Sequence, residues 1–323
     1  MNTIAIVGAS GYIGRHLVAE LARSGDNRVK VLTRKHLSGL PPTEWPSNVE
    51  VVKGDIHDES SLHRLLEPDC TFVNLVYLWD GGELANLAVT RNLLKACKAM
   101  HVKRLIHCST AAVVGRAPGD HITETTECRP ITEYGVTKLK IEQEIIRASN
   151  GIFDAVILRP TGVFGPGGEP LKKLANDLVG GSHLRNYLKS CLFGERRMNL
   201  VHIGNVVAAI LFLIRPPEHI DGGIFIVSDD ETSGNNFVDV ERFLMRSLHC
   251  TSYPFFRIPL PLAVLRLLLS ALGRNNINPR CNYSQEKLEG IGFRSPMVFE
   301  DGLSEYADWY RSTYHVARAG MMK

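Results

Sequence analysis

The stretch Thr3-Ile4-Ala5-Ile6-Val7-Gly8-Ala9-Ser10-Gly11-Tyr12-Ile13-Gly14 decides the fold. Thr3–Val7 is apolar or β-branched and reads as a buried strand. Gly8, Gly11 and Gly14 follow at GxxGxxG spacing, and from Tyr12 to Ser24 the pattern turns helical, with Ile13, Leu17, Val18 and Leu21 on one face. A glycine turn between strand and helix lets backbone approach a pyrophosphate, and the helix N-terminus offers it unpaired N–H groups. Gly8, Ser10, Gly11, Tyr12, Ile13 and Gly14 are therefore candidates for holding a dinucleotide.

The same rhythm continues outward. Strands are expected over 29–33, 49–53, 71–75, 103–108 and 153–158, with helices over 60–66, 83–100 and 131–149. Near-continuous apolar strands separated by helices imply a parallel sheet covered on both faces, an α/β Rossmann-type doubly wound fold. Past Pro160 the rhythm degrades. Residues 161–170 are rich in glycine and proline and read as loop; a helix over 171–178, a strand over 200–203, a helix over 205–214 and a strand over 223–227 follow. The expected layout is a cofactor domain over 1–160 and a smaller C-terminal substrate lobe over 161–323, with segments around 200–228 returning to the main sheet.

Composition sets the outer bounds. The chain has 323 residues, enough for one large domain or two. Hydrophobic residues make up 44% and charged residues 22%, which is ordinary globular usage and excludes a mainly disordered or collagen-like chain. Lysine plus arginine is 37 against 34 aspartate plus glutamate, too balanced for a nucleic-acid binder. Seven cysteines, none spaced as CxxC, argue against a disulfide scaffold or zinc ribbon and fit a reducing cytoplasm. The histidines show no HExxH, so no metal is expected. The N-terminus lacks a signal-peptide pattern, and the apolar stretch 258–273 is too short for a membrane span. It reads as a buried or partner-facing helix, with an interfacial membrane helix as the rival.

A dinucleotide site usually has an acid about 20 residues past the glycines to hold the adenosine ribose. Here Thr33, Arg34 and Lys35 stand there instead. An acid would repel a 2′-phosphate and an arginine would grip it, so NADP(H) is favoured over NAD(H). After the third strand, Asp55 is placed to accept from the adenine amine and Ile56 to pack on the ring. Tyr134 and Lys138 form YxxxK, on one face of a helix, where the ammonium is expected to lower the phenol pKa. Ser109 and Thr110 end the fifth strand, at the ligand edge of such a sheet.

GASGYIG at 8–14, GD at 54–55, CSTAAVVG at 108–115, YGVTK at 134–138, LRPTGVFGPGG at 158–168 and VHIGNVV at 201–207 together resemble the extended short-chain dehydrogenase/reductases, the NAD(P)-dependent epimerase/dehydratase group. The resemblance covers nearly the whole chain. It implies Tyr134 as general acid/base, Lys138 on the nicotinamide ribose, and Thr110 as the catalytic hydroxyl with Ser109 as its neighbour. It also implies Asn86 as a support of the active site and Arg196 or Arg197 as a contact for a substrate diphosphate. Val114, the Val76-Tyr77 pair and Gly162 depart from the family pattern. Ala111-Ala112 stands where dehydratases carry Asp-Glu, which speaks against 4,6-dehydration. The expectation is reduction of a nucleotide-activated 4-keto sugar for surface polysaccharide, in a cytoplasmic homodimer pairing through the helices over 83–100 and 131–149. The alternatives are a 4-epimerase, a reductase of non-sugar ketones, and a cofactor-sensing regulator. Cys128 and His183 are lesser candidates for extra acids or bases, and His107 reads as structural.

Overall fold

The structure, a computed structural model, describes residues 2–34, 48–116, 119–215, 220, 223–258, 260–271 and 278–321. In chain order its first half runs β1 (Thr3–Val7), α1 (Tyr12–Ser24), β2 (Arg28–Thr33), β3 (Val49–Lys53), α2 (Glu59–Leu65), β4 (Thr71–Asn74), α3 (Gly82–Ala99), β5 (Arg104–Cys108), β6 (His121–Ile122), α4 (Glu133–Ser149) and β7 (Asp154–Pro160). There follow β8 (Gly162–Phe164), α5 (Lys172–Gly180), α6 (His183–Phe193), β9 (Leu200–His202), α7 (Ile203–Ile214), β10 (Gly223–Val227) and α8 (Phe237–Ser247). The chain ends with α9 (Leu262–Ala271), β11 (Asn282–Tyr283), α10 (Glu286–Gly290) and α11 (Phe299–Met321).

Seven strands form one parallel sheet in the order β10-β7-β5-β4-β1-β2-β3. The order reverses between β1 and β4, which opens a crevice beyond their C-terminal ends. Ile4, Ile6, Val31, Ile106 and Val156 point to one face, where Leu17 and Leu21 of α1 and the almost wholly apolar α7 cover them. Ala5, Phe72 and Leu105 point to the other face, under Leu62 of α2, Leu93 of α3 and Ile141 of α4. A separate core lies in the C-terminal lobe, where Phe164, Leu200, Leu244, Leu303 and Tyr306 join β8, β9, α8 and α11.

Two expectations need correction. Residues 161–170 are not all loop: β8 pairs in parallel with β9, Gly162 opposite Leu200, and the Gly162 N–H donates to Asn199 O at 2.7 Å. The breakers flank a three-residue strand rather than dissolving it, because the partner strand satisfies its backbone. The segment around 200–228 also divides. β10 extends the main sheet beside β7 and α7 covers its face, but β9 leaves for the small sheet with β8. Beside β7 the pairing position is already taken by β10, register Ile224 to Ile157.

Candidate active site

At the mouth of the crevice Gly8 has φ +84, and a Cβ there would stand 3.0 Å from the backbone of Leu75. A Cβ on Gly14 would stand 2.2 Å from Gly8 O. Only glycine lets this turn pack so tightly between β1, α1 and β4. Above it lies a cavity of about 130 Å³ lined by Gly8, Ser10, Thr33, Arg34, Gly54 and Ile56. The glycine cradle, the α1 N-terminus and a cation at the β2 end fit the adenosine and phosphate portion of a dinucleotide. Lys35 lies outside the described residues.

The remaining candidate contacts also have partners within the protein. Tyr12 tucks beneath the 165–168 turn, where a Cβ on Gly168 would come within 2.8 Å of its hydroxyl; burial raises its pKa. Ile13 packs on the core. Asp55 accepts the His57 N–H at 2.9 Å and closes a local turn, while Asp58 caps α2 through the N–H groups of Ser60 and Ser61. Ile56 is held at the cavity wall by Asn92, whose amide donates to its carbonyl at 2.9 Å.

The chemistry gathers where β5 ends and α4 begins. Thr110 opens a short turn, its hydroxyl accepting the Ala112 N–H at 3.2 Å and also hydrogen-bonding the Tyr134 phenol. Thr132 caps α4 through the Gly135 N–H and places Tyr134 in the first turn. One turn on, Lys138 is buried and donates to Cys108 O at 2.9 Å. Helix α4 is tied to β7 by the buried pair Arg159–Glu142, Nε to Oε1 3.0 Å and Nη2 to Oε2 2.6 Å. Burial pushes the Tyr134 phenol up to about 12, partly offset by the Thr110 hydrogen bond. The lowering expected from Lys138 is not found: burial sets the direction, and the ammonium is turned to the Cys108 carbonyl. Burial also lowers the Lys138 pKa.

A second cavity, about 390 Å³, opens beside Thr110 and reaches Arg196, Arg197, Asn199, Phe237 and Tyr283. Arg197 donates to Thr232 O at 2.9 Å, so part of its guanidinium holds that turn. Arg196 lies over the Phe193 ring at 5.8 Å. Ser109 is buried next to Thr110. Asn86 does not reach either cavity. Its amide accepts the Leu78 N–H at 2.9 Å and donates to Leu78 O and Gly82 O, bracing the loop between β4 and α3. Cys128 lies by Arg159 and Thr126, and His183 begins α6 and bonds Thr251 O. His107 is wholly buried, and burial drives its pKa far down.

Sequence reasoning missed three parts of this site. Trp79 stacks on Tyr134 at 5.1 Å and 14°, and Tyr77 meets both rings edge-on. Trp79 is nonetheless 75% exposed, so its outer face borders solvent. Its one sequence signal was an aromatic in the loop after the fourth strand. Tyr283 and Asn199 come from distant segments with no motif. Both are held by buried Asp230, which accepts the Tyr283 N–H at 2.9 Å and the Asn199 amide at 2.6 Å, and which burial raises to about 6.

A doubly wound sheet, a glycine turn at its switch point and a Thr–Tyr–Lys set at the adjoining strand end define a nicotinamide-dependent protein of the short-chain dehydrogenase/reductase class. Residues 4–228 match the model of the NAD dependent epimerase/dehydratase family, and the chain belongs to that family. It is 26% identical over 333 positions to short-chain dehydrogenase/reductase family 42E member 1 of Xenopus laevis, covering 94% of this chain and 81% of the relative. It is likewise 26% identical to the decarboxylating sterol-4-alpha-carboxylate 3-dehydrogenase of Candida albicans, covering 86% and 84%. The fold superposes on dTDP-glucose 4,6-dehydratase from Bacillus anthracis in complex with NAD, TM-score 0.74 at 19% identity and 98% coverage of both chains.

Proposed function

We propose that the chain reduces a ketone to a secondary alcohol with NADP(H), and that the ketone is a 4-keto sugar carried on a nucleoside diphosphate. The supporting observation is that Thr110 and the two arginines 196 and 197 line one cavity, which offers a hydroxyl for the carbonyl and cations for a diphosphate. Arg34 at the rim of the adenosine cavity supports the 2′-phosphate. The nicotinamide, when bound, supplies the hydride for the carbonyl carbon. Tyr134, protonated at neutral pH, donates its proton to the carbonyl oxygen, and Thr110 hydrogen-bonds that oxygen beside it. Lys138, buried one turn on from Tyr134 and turned to the Cys108 carbonyl, is the residue to hold the nicotinamide ribose. All seven cysteines are free thiols, in keeping with a cytosolic home, and the outer faces of α3 and α4 are the proposed homodimer contact.

A second reading rests on Tyr77 and Trp79. They present ring faces beside Tyr134 where a polar sugar would meet little to bond, and Gly162 offers no side chain; both suit a non-sugar ketone with an apolar face. A 4-epimerase that retains its cofactor is the remaining alternative. The test is NADPH consumption with dTDP-, UDP- and GDP-4-keto-6-deoxyhexoses against steroid and aromatic ketones. Turnover of a nucleotide keto sugar alone supports the first reading. Turnover of the apolar ketones alone replaces it with the second. Sugar interconversion by protein purified with bound cofactor and no added NADPH establishes the epimerase.

A further inference from the structure

Helix α6 and the segment after Thr251 put an apolar surface on the outside of the C-terminal lobe. Leu184 and Leu188, one turn apart on α6, are both exposed, the first 64%. Next to them stand Phe255, Ile258 and Phe256, the last 98% exposed. On α9, Leu265 and Leu269 turn inward while Val264, Leu267 and Leu268 face out. These pieces are joined. The Phe255 ring meets Tyr187 of α6 at 6.1 Å, the Tyr187 hydroxyl donates to Phe256 O at 2.8 Å, and the Leu260 N–H donates to Cys191 O at 3.0 Å. Single exposed leucines need no explanation, but one surface built from two helices and the loop leading into the second does.

Charge says what covers it. Arg257 and Arg266 lie within this surface, and residues 251–285 contain no aspartate or glutamate. Arg266 is exposed among the outward leucines of α9, and Arg185 and Lys189 flank Leu184 and Leu188. Among the described residues the carboxylate paired with those two is Asp177, so the group keeps a net positive charge. Arg257 is held by buried Glu241, which anchors the phenylalanine loop from beneath. Apolar side chains flanked by more cations than acids match an anionic bilayer, where arginine stems lie along the lipid and their heads stay at the phosphates. No described helix is long and apolar enough to cross a membrane. Helix α9, at about 1.5 Å per residue, reaches only about half of a bilayer core.

We propose that α6, the 253–258 loop and α9 form a docking face that rests on the surface of an anionic membrane, with Phe255 and Phe256 in the headgroup boundary. The full chain is sedimented with phosphatidylcholine vesicles with and without phosphatidylglycerol, at low and high salt. Binding to the phosphatidylglycerol vesicles that weakens with salt is expected. Phe255→Ser/Phe256→Ser is expected to lower that binding at least about tenfold, since each phenylalanine loses its apolar burial. Arg266→Glu should remove the preference for phosphatidylglycerol. Both variants alter exposed side chains, and an unchanged melting temperature with unchanged cofactor binding shows that they fold. Failure of the wild-type chain to bind either vesicle overturns the proposal, as does equal binding by the double variant. Light scattering supplies a further arm: a dimer that the double variant converts to monomer means that a second copy covers this face, and the proposal falls. A dimer that survives the double variant while vesicle binding is lost supports it.

Discussion

Burial, with the neighbouring Cys108, raises the Tyr134 phenol, and the Thr110 hydroxyl opposes them without prevailing. The result is a phenol that holds its proton at neutral pH in the ligand-free protein, the state a proton donor needs. Tyr134→Phe keeps the ring stacked on Trp79 and edge-on to Tyr77 and removes only the acid. Turnover should fall at least about 10²-fold while NADPH binding persists, and stopped-flow and fluorescence titration separate the two; near-normal turnover rejects the role. Arg34 makes an equally local claim. Arg34→Ala should weaken NADPH by about tenfold to a hundredfold, as expected for losing about 1.5–3 kcal/mol of charge-assisted bonding, and leave NADH nearly unchanged. Equal losses for the two cofactors would show that the residue does not read the 2′-phosphate.

Helix α7 begins on a titratable cap. His202 Nδ1 accepts the Gly204 N–H at 3.2 Å, and its ring packs edge-on to Phe164 at 5.3 Å. Burial lowers its pKa to about 4. Between the ordinary value near 6.5 and about 4, the unfolded chain therefore binds a proton that the folded chain refuses. The stability is present above that window and is lost as pH falls through it, on the scale of about 2–3 kcal/mol. Asp229 and Asp230, each raised to about 6 by burial, act with the opposite sign: they favour the folded state below their unfolded values and cost stability as pH rises through about 6. The readout is consequently a difference. Urea unfolding from pH 7 to pH 4.5 should show a smaller loss for His202→Asn, which caps without titrating, than for the wild-type chain. Parallel curves would remove His202 from the account.

At the scale of the molecule, the proposed cofactor crevice belongs to the main sheet, whereas the proposed substrate cavity is assembled from the turn after β5, the β7–β8 junction, the segment before β9, the start of α8 and β11. A ligand in the crevice binds only the assembled sheet, so it should stabilise the whole fold. At a hundredfold excess over Kd, linkage gives about 2.7 kcal/mol. Thermal denaturation with NADPH should rise accordingly, and at equal concentration by more than with NADH; an equal rise would count against the NADP(H) preference.

The first sheet and the clustering of the candidate site residues were legible in the sequence because their signals are local. An apolar run, a glycine turn and a 3.6-residue periodicity each lie within a few residues, and Thr3–Val7 and Tyr12–Ser24 appear in the structure as read. YxxxK is local too, since a helix alone puts Tyr134 and Lys138 on one side. Tertiary structure decided what depends on neighbours far along the chain. It paired β8 with β9, brought Tyr283 and Asn199 to Thr110 through Asp230, and turned Asn86 into a brace for the loop that carries Trp79. It also reversed the expected shift of Tyr134, because desolvation is a property of everything packed around the ring and no spacing of residues encodes it.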